Sequence, residues 1–148
     1  MSTLVTFFSA EGTTAKLAKN FAKTIEADIF EIVPQKPYTA ADIRWVNPIA
    51  RCNREQIGNK DVPVIGKIEN FELYDIVYIG FPIWYGAQPK VVSTFCKDYD
   101  WSGKKVYVFA TSGGSGIGKT AEKITPFVKG ATIVEAKIVK DVSEIQII

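Results

Sequence analysis

The chain has 148 residues, 47% hydrophobic and 23% charged, with a formal net charge of +2, which suits one globular domain over residues 1–148 and argues against a nucleic-acid surface. It has no histidine, which excludes imidazole-based nucleophile pairs and imidazole metal ligands, and its two cysteines, Cys52 and Cys96, lie far apart, so neither a zinc site nor a disulfide framework is indicated, no catalytic side chain or metal ligand is expected, and both cysteines read as small packed thiols. A start without a signal peptide's basic region and cleavage site, together with the lack of an apolar run of about 18 residues, predicts a cytoplasmic protein with no membrane span.

Residues 4–8 form a short apolar run that ends in the polar residues 9–14, after which Leu17, Phe21 and Ile25 mark one helical face. Residues 28–33 alternate like a half-buried strand and are closed by Pro34. The segment 35–71 is long and mixed, with Tyr38, Arg44, Trp45, Arg51 and Arg54, and Pro48 interrupts any helix within it. Residues 75–80 are nearly apolar on both faces, as a central parallel strand should be, and run into 81–89. A helix is predicted through Val91, Val92, Phe95 and Tyr99, and residues 105–110 form a second two-sided apolar strand. Ala121, Ile124, Phe127 and Val128 mark a further helix, and residues 131–139 alternate with Glu135 and Lys137 on one face, suiting an edge strand. Strands alternating with helices predict an α/β fold with a doubly wound, five-stranded parallel sheet.

In such a sheet ligands bind beyond the carboxyl ends of the strands, where the strand order reverses. Three loops leave those ends, all rich in small, hydroxyl or aromatic residues and poor in charge. Residues 9–14 (SAEGTT) offer three hydroxyls, a glycine and the free N–H groups of a helix start, a setting for a phosphate bound by neutral donors with Glu11 turned outward. Taken alone, this loop is better explained as an ordinary strand-to-helix turn with Thr13 as helix cap. Residues 82–86 (PIWYG) place two large aromatics at a strand end, where stacking on a flat ring is worth roughly 1–3 kcal/mol. Capping the core or facing a partner is the alternative for Trp84 and Tyr85.

Residues 111–120 (TSGGSGIGKT) contain Gly113, Gly118, Lys119 and Thr120 in the order of a nucleotide triphosphatase P-loop. Such an enzyme sets its glycine loop after an early strand and holds magnesium with an aspartate that ends a second apolar strand. Here only one edge-like strand fits after Thr120, and no earlier apolar run ends in such an aspartate. The same glycines let backbone amides approach a flat ring, with Lys119 solvated at the next helix start. A bound cofactor also fits a chain without histidine, because the cofactor supplies the chemistry and the protein supplies orientation and electrostatics.

The ordered set of three loops is similar to that of the flavodoxin family over nearly the whole chain, and resembles its short-chain members most. The resemblance implies strand order 2-1-3-4-5 and FMN as cofactor. Ser9, Ala10, Glu11, Gly12, Thr13 and Thr14 match the phosphate loop, and Pro82, Ile83, Trp84, Tyr85 and Gly86 the loop that stacks on the flavin. Thr111, Ser112, Gly113, Gly114 and Gly116 match the loop along the ring's polar edge. The implied function is electron transfer between a reductase and an acceptor through a flavin semiquinone. An FMN-dependent NAD(P)H quinone or azo reductase is the alternative, and a noncatalytic binder a third reading. By the same resemblance the peptide between Tyr85 and Gly86 turns to accept a hydrogen bond from reduced flavin. Gly86→Ala should then weaken the one-electron-reduced state more than it weakens FMN binding, and equal losses in a redox titration would count against that role.

Two features depart from the family. Familiar flavodoxins are strongly acidic, whereas this chain is slightly basic, so a less extreme low potential and a different partner surface are expected. A full helix should also follow the fifth strand, yet residues 140–148 allow about two turns. The sheet face carrying the first helix must therefore be covered by this tail, by part of segment 35–71, or by a second subunit in a homodimer. Trp45 and Arg51 have chemistry suited to the flavin, although core packing and solvated arginines are the first expectation for them.

Overall fold

The computed structural model describes residues 2–9, 12–34, 64–83, 88–112 and 117–148. Strand β1 (Ser2–Phe7) leads into helix α1 (Thr13–Ile25), then β2 (Asp28–Glu31). The two short strands β3 (Val33–Pro34) and β4 (Val64–Ile65) pair antiparallel with each other. There follow β5 (Tyr74–Pro82), α2 (Lys90–Lys97), β6 (Lys105–Thr111), α3 (Thr120–Ile124) and β7 (Thr132–Ile138). The main sheet is parallel with order β2-β1-β5-β6-β7, the expected 2-1-3-4-5 once its own strands are counted. Its switch point lies between β1 and β5, the two strands whose following connections go to opposite faces.

Period-two alternation sorts the central strands cleanly onto two cores. Val5, Phe7, Ile76, Tyr78, Tyr107 and Phe109 face α1, against Leu17, Ala18, Phe21 and Ala22. Leu4, Val77, Ile79, Phe81, Val106, Val108 and Ala110 face α2 and α3, against Val91, Val92, Phe95, Cys96, Ile124 and Val128. Strands buried on both sides read as continuous apolar runs for this reason. Thr6 is the polar exception, fully buried, and its hydroxyl donates to the Tyr78 carbonyl at 2.9 Å. Cys96 is buried among these side chains, and desolvation pushes its thiol well above the usual range, which makes it the inert packed residue expected. Among the described residues no helix is long and apolar enough to cross a membrane.

Four elements differ from the expectation. Strand β2 stops at Glu31, because Val33 and Pro34 turn away to pair with Ile65 and Val64. Tyr99 lies beyond α2, where its hydroxyl accepts from the Ile68 N–H at 2.9 Å and its ring packs on Phe71 at 4.6 Å. The helix expected through Val128 ends at Ile124 and gives way to a 3₁₀ turn at Thr125–Phe127, since Pro126 has no N–H to continue the α ladder. The tail forms a single 3₁₀ turn at Val142–Glu144 and then runs extended. That turn is held by a capping box in which Ser143 N–H donates to Asp141 while the Glu144 carboxylate accepts from Lys140 and Asp141 N–H.

Among the described residues the tail packs on the α1 face of the sheet beside α1. Ile145 is buried there, with Val142 and Ile148 packed beside it. Tyr78 donates its hydroxyl to the Gln146 carbonyl at 2.8 Å and accepts from Ile148 N–H at 2.9 Å, while Tyr107 accepts from Gln146 N–H at 3.3 Å. Glu135 and Lys137 pair with Tyr107 and Phe109 in register, so β7 turns its charged side to this same face and needs no apolar lid. Residues 64–71, by contrast, return to the α2 face, where Ile68 and Phe71 join the other core. Residues 35–63, with Trp45, Arg51 and Cys52, lie outside the described residues.

Burial raises the hydroxyls of Tyr78 and Tyr107 above their usual 10.0, and in Tyr78 the bond from Ile148 N–H opposes part of that rise. Tyr74 is pushed up to about 12, chiefly by donating its hydroxyl to the Asp28 carboxylate at 2.7 Å. Folding here favours the protonated phenols. Their contribution is therefore complete below pH 10.0, where the unfolded chain is also protonated, and is lost as pH climbs from there through the raised values. The urea midpoint should fall in that alkaline window, and more steeply than in Tyr78→Phe. Identical slopes in the two proteins would remove Tyr78 from this account.

Candidate functional site

Strands β1, β5 and β6 are neighbours, so the loops that follow them leave the same rim of the sheet side by side. Backbone bonds tie their roots together. The Phe8 N–H donates to the Gly80 carbonyl at 2.9 Å, and the Ile83 N–H to the Thr111 carbonyl at 2.9 Å. Pro82 and Thr111 are register partners.

In the first loop the Ser9 hydroxyl accepts from the Gly12 N–H at 2.9 Å, which bends the chain into α1. Gly12 itself caps the helix with φ 93°, a left-handed backbone that suits glycine, and the space where a Cβ would stand is open. The capping residue is thus Gly12, and Thr13 is the first residue of the helix. Among the described residues no side chain caps α1, which leaves the N–H groups of its first turn at the positive end of the helix without a side-chain cap there. This arrangement fits a phosphate better than an ordinary capped turn does.

Thr14 is turned inward. It is 1% exposed, and its Oγ1 lies 2.8 Å from Oγ1 of Thr111, itself 8% exposed. Gln88, buried behind the second loop, donates to the Ser93 hydroxyl at 3.1 Å and to the Lys123 carbonyl at 3.2 Å, which ties that loop's far end to α3. Nothing in the sequence spacing singled out Gln88 or the joining of Thr14 to Thr111. Of the predicted site residues, Ser9, Gly12, Thr13, Thr14, Pro82, Ile83, Thr111 and Ser112 are brought to this rim, and none of them is ionisable. Ala10, Glu11, Trp84, Tyr85, Gly86, Gly113, Gly114 and Gly116 lie outside the described residues.

Thr120, which in a P-loop would have to present its hydroxyl to magnesium, is fully buried and donates to the Ile117 carbonyl. Lys119 is exposed at the start of a helix only five residues long.

A parallel sheet of this order, with three loops leaving the rim at a β1/β5 switch point, defines a doubly wound α/β domain of the flavodoxin-like order. The sequence profile of the flavodoxin family matches residues 2–147, and the chain belongs to that family. Among solved structures it is similar to a candidate flavoprotein from Bacteroides eggerthii DSM 20697, with 36% identity and a TM-score of 0.86 over 97% of this chain and 92% of that one. A candidate flavoprotein from Bacteroides uniformis ATCC 8492 is also 36% identical, with a TM-score of 0.84 over 93% of this chain and 88% of that one. A flavoprotein from Lactobacillus acidophilus NCFM, solved in complex with FMN, shares the fold at 23% identity and a TM-score of 0.75, covering 97% of this chain and 95% of that one. A search of curated proteins finds no match.

Proposed function

We propose that this protein is an FMN-carrying electron-transfer protein of the flavodoxin type, working between a reductase and an acceptor protein. The observation that supports it most is the uncapped start of α1 set next to the joined roots of the other two loops, all built from neutral groups. Family membership and an FMN complex in a protein of the same fold point to the same cofactor.

Bound FMN supplies one-electron redox steps. The first-turn amides of α1, from Thr13 onward, hold the phosphate through hydrogen bonds and the helix dipole, and Gly12 leaves room for its approach. Ile83 and Thr111 fix the roots of the second and third loops against each other, so the strips that flank the ring start from one rigid base. By the family resemblance Trp84 and Tyr85 cover the ring and keep water from it. With no histidine in the chain, orientation and backbone donors are what the protein contributes.

The test is the absorbance spectrum of the purified protein, followed by stoichiometric reduction and reoxidation by a separate electron-transfer partner. A yellow protein that passes electrons on and does not itself oxidise NADPH supports the carrier. Oxidation of NADPH by the pure protein with a quinone would replace it with the reductase reading, and a colourless protein that refuses FMN in calorimetry would overturn both.

A further inference from the structure

Thr14 stands in the first turn of α1 beside the proposed phosphate subsite and Thr111 ends β6 beside the proposed ring subsite, 97 residues away in the chain. Their hydroxyls meet at 2.8 Å in a buried environment. The Thr111 carbonyl meanwhile accepts from Ile83 at 2.9 Å, so one residue touches the roots of two loops and the helix start of the third. A buried hydroxyl is costly to leave without a partner, which makes this pair a position-defining contact. Resting on the FMN reading above, we propose that the Thr14–Thr111 hydroxyl bridge sets the spacing between the two subsites and so selects a ligand bearing a phosphate and a flat ring at one fixed separation. Thr111 is then a positioning residue. It acts on ligands that span both subsites and leaves alone those that occupy one.

Full-length protein stripped of flavin is titrated with FMN, with riboflavin and with inorganic phosphate. Loss of one buried hydrogen bond corresponds to roughly tenfold, so Thr111→Val should bind FMN about tenfold more weakly while riboflavin and phosphate change by less than about twofold. Thr111→Ser, which keeps the hydroxyl, should restore FMN binding. If riboflavin weakens as much as FMN, Thr111 only shapes the ring loop and the proposal fails. Should Thr111→Val not fold, Thr111→Ala, which also removes the hydroxyl and leaves the phosphate loop unaltered, takes its place in the same titrations and should likewise weaken FMN about tenfold. Equal weakening of riboflavin in that variant would also overturn the bridge. If the unaltered protein binds no FMN, the function proposed above falls, and amide exchange then decides the bridge alone. Exchange at Lys16, whose N–H donates to Gly12 in the first turn of α1, should quicken roughly tenfold when the bridge is removed. Unchanged exchange would sink it.

Discussion

Deleting residues 142–148 is expected to lower the free energy of unfolding by about 3–5 kcal/mol in urea denaturation. The segment supplies Ile145, 4% exposed, and the partly buried Val142 and Ile148 to the core on the α1 side. It also supplies the backbone partners of two tyrosine hydroxyls. Without it Tyr78 and Tyr107 face water across the middle of the sheet, and the truncated chain should bind a hydrophobic dye and associate with itself. Ile145→Ala should reproduce part of the loss, about 2–4 kcal/mol, by leaving a cavity over the two rings. A truncated protein within about 1 kcal/mol of the full chain would show that something other than the tail protects this face.

Gly80→Ala is expected to cost about 3 kcal/mol, far more than an alanine normally costs in a strand. The backbone there is ordinary extended strand, so the cost is steric: an added Cβ would stand 2.3 Å from two ring atoms of Phe109. That ring is fully buried and its centroid lies 6.5 Å from that of Phe21 on α1, so displacing it disturbs a close-packed core. The Gly80 carbonyl also accepts from Phe8, so a shifted strand disturbs the root of the first loop. FMN affinity should therefore fall along with stability. Phe109→Leu in the Gly80→Ala background should recover part of the loss, giving a double-mutant cycle with a compensating interaction. Strict additivity of the two substitutions would mean that the ring was never the obstacle.

Much of the architecture was legible because local patterns and global fold agree. The two-sided apolar runs at residues 75–80 and 105–110 can sit only in the middle of a covered parallel sheet, and they became β5 and β6. The four-residue spacing of Leu17, Phe21 and Ile25 became α1, and the glycine-containing turn before it became an uncapped helix start. The failures were equally physical. The apolar count at residues 121–128 suggested a longer helix than Pro126 permits, and Tyr99 kept the helical spacing after the helix itself had ended. The TSGGSGIGKT stretch satisfied a motif whose meaning depends on where its threonine hydroxyl points, and here it points inward.

The tail shows most clearly where sequence reading runs out. Tyr78 and Tyr107 counted as apolar residues in a strand pattern, yet their hydroxyls are the partners that let an extended segment replace a helix. Glu135 and Lys137 were read only as the mark of an edge strand, and it is their register with Tyr107 and Phe109 that puts them on this same face. Periodicity and turn residues were enough by themselves to determine alternating strands and helices in a parallel sheet, because each depends on neighbours in the chain, whereas the strand order followed from the resemblance of three ordered loops to those of the flavodoxin family. The covering of the α1 face and the Thr14–Thr111 bridge were decided only in three dimensions, because they join groups far apart in sequence whose meeting depends on the packed distance between strands.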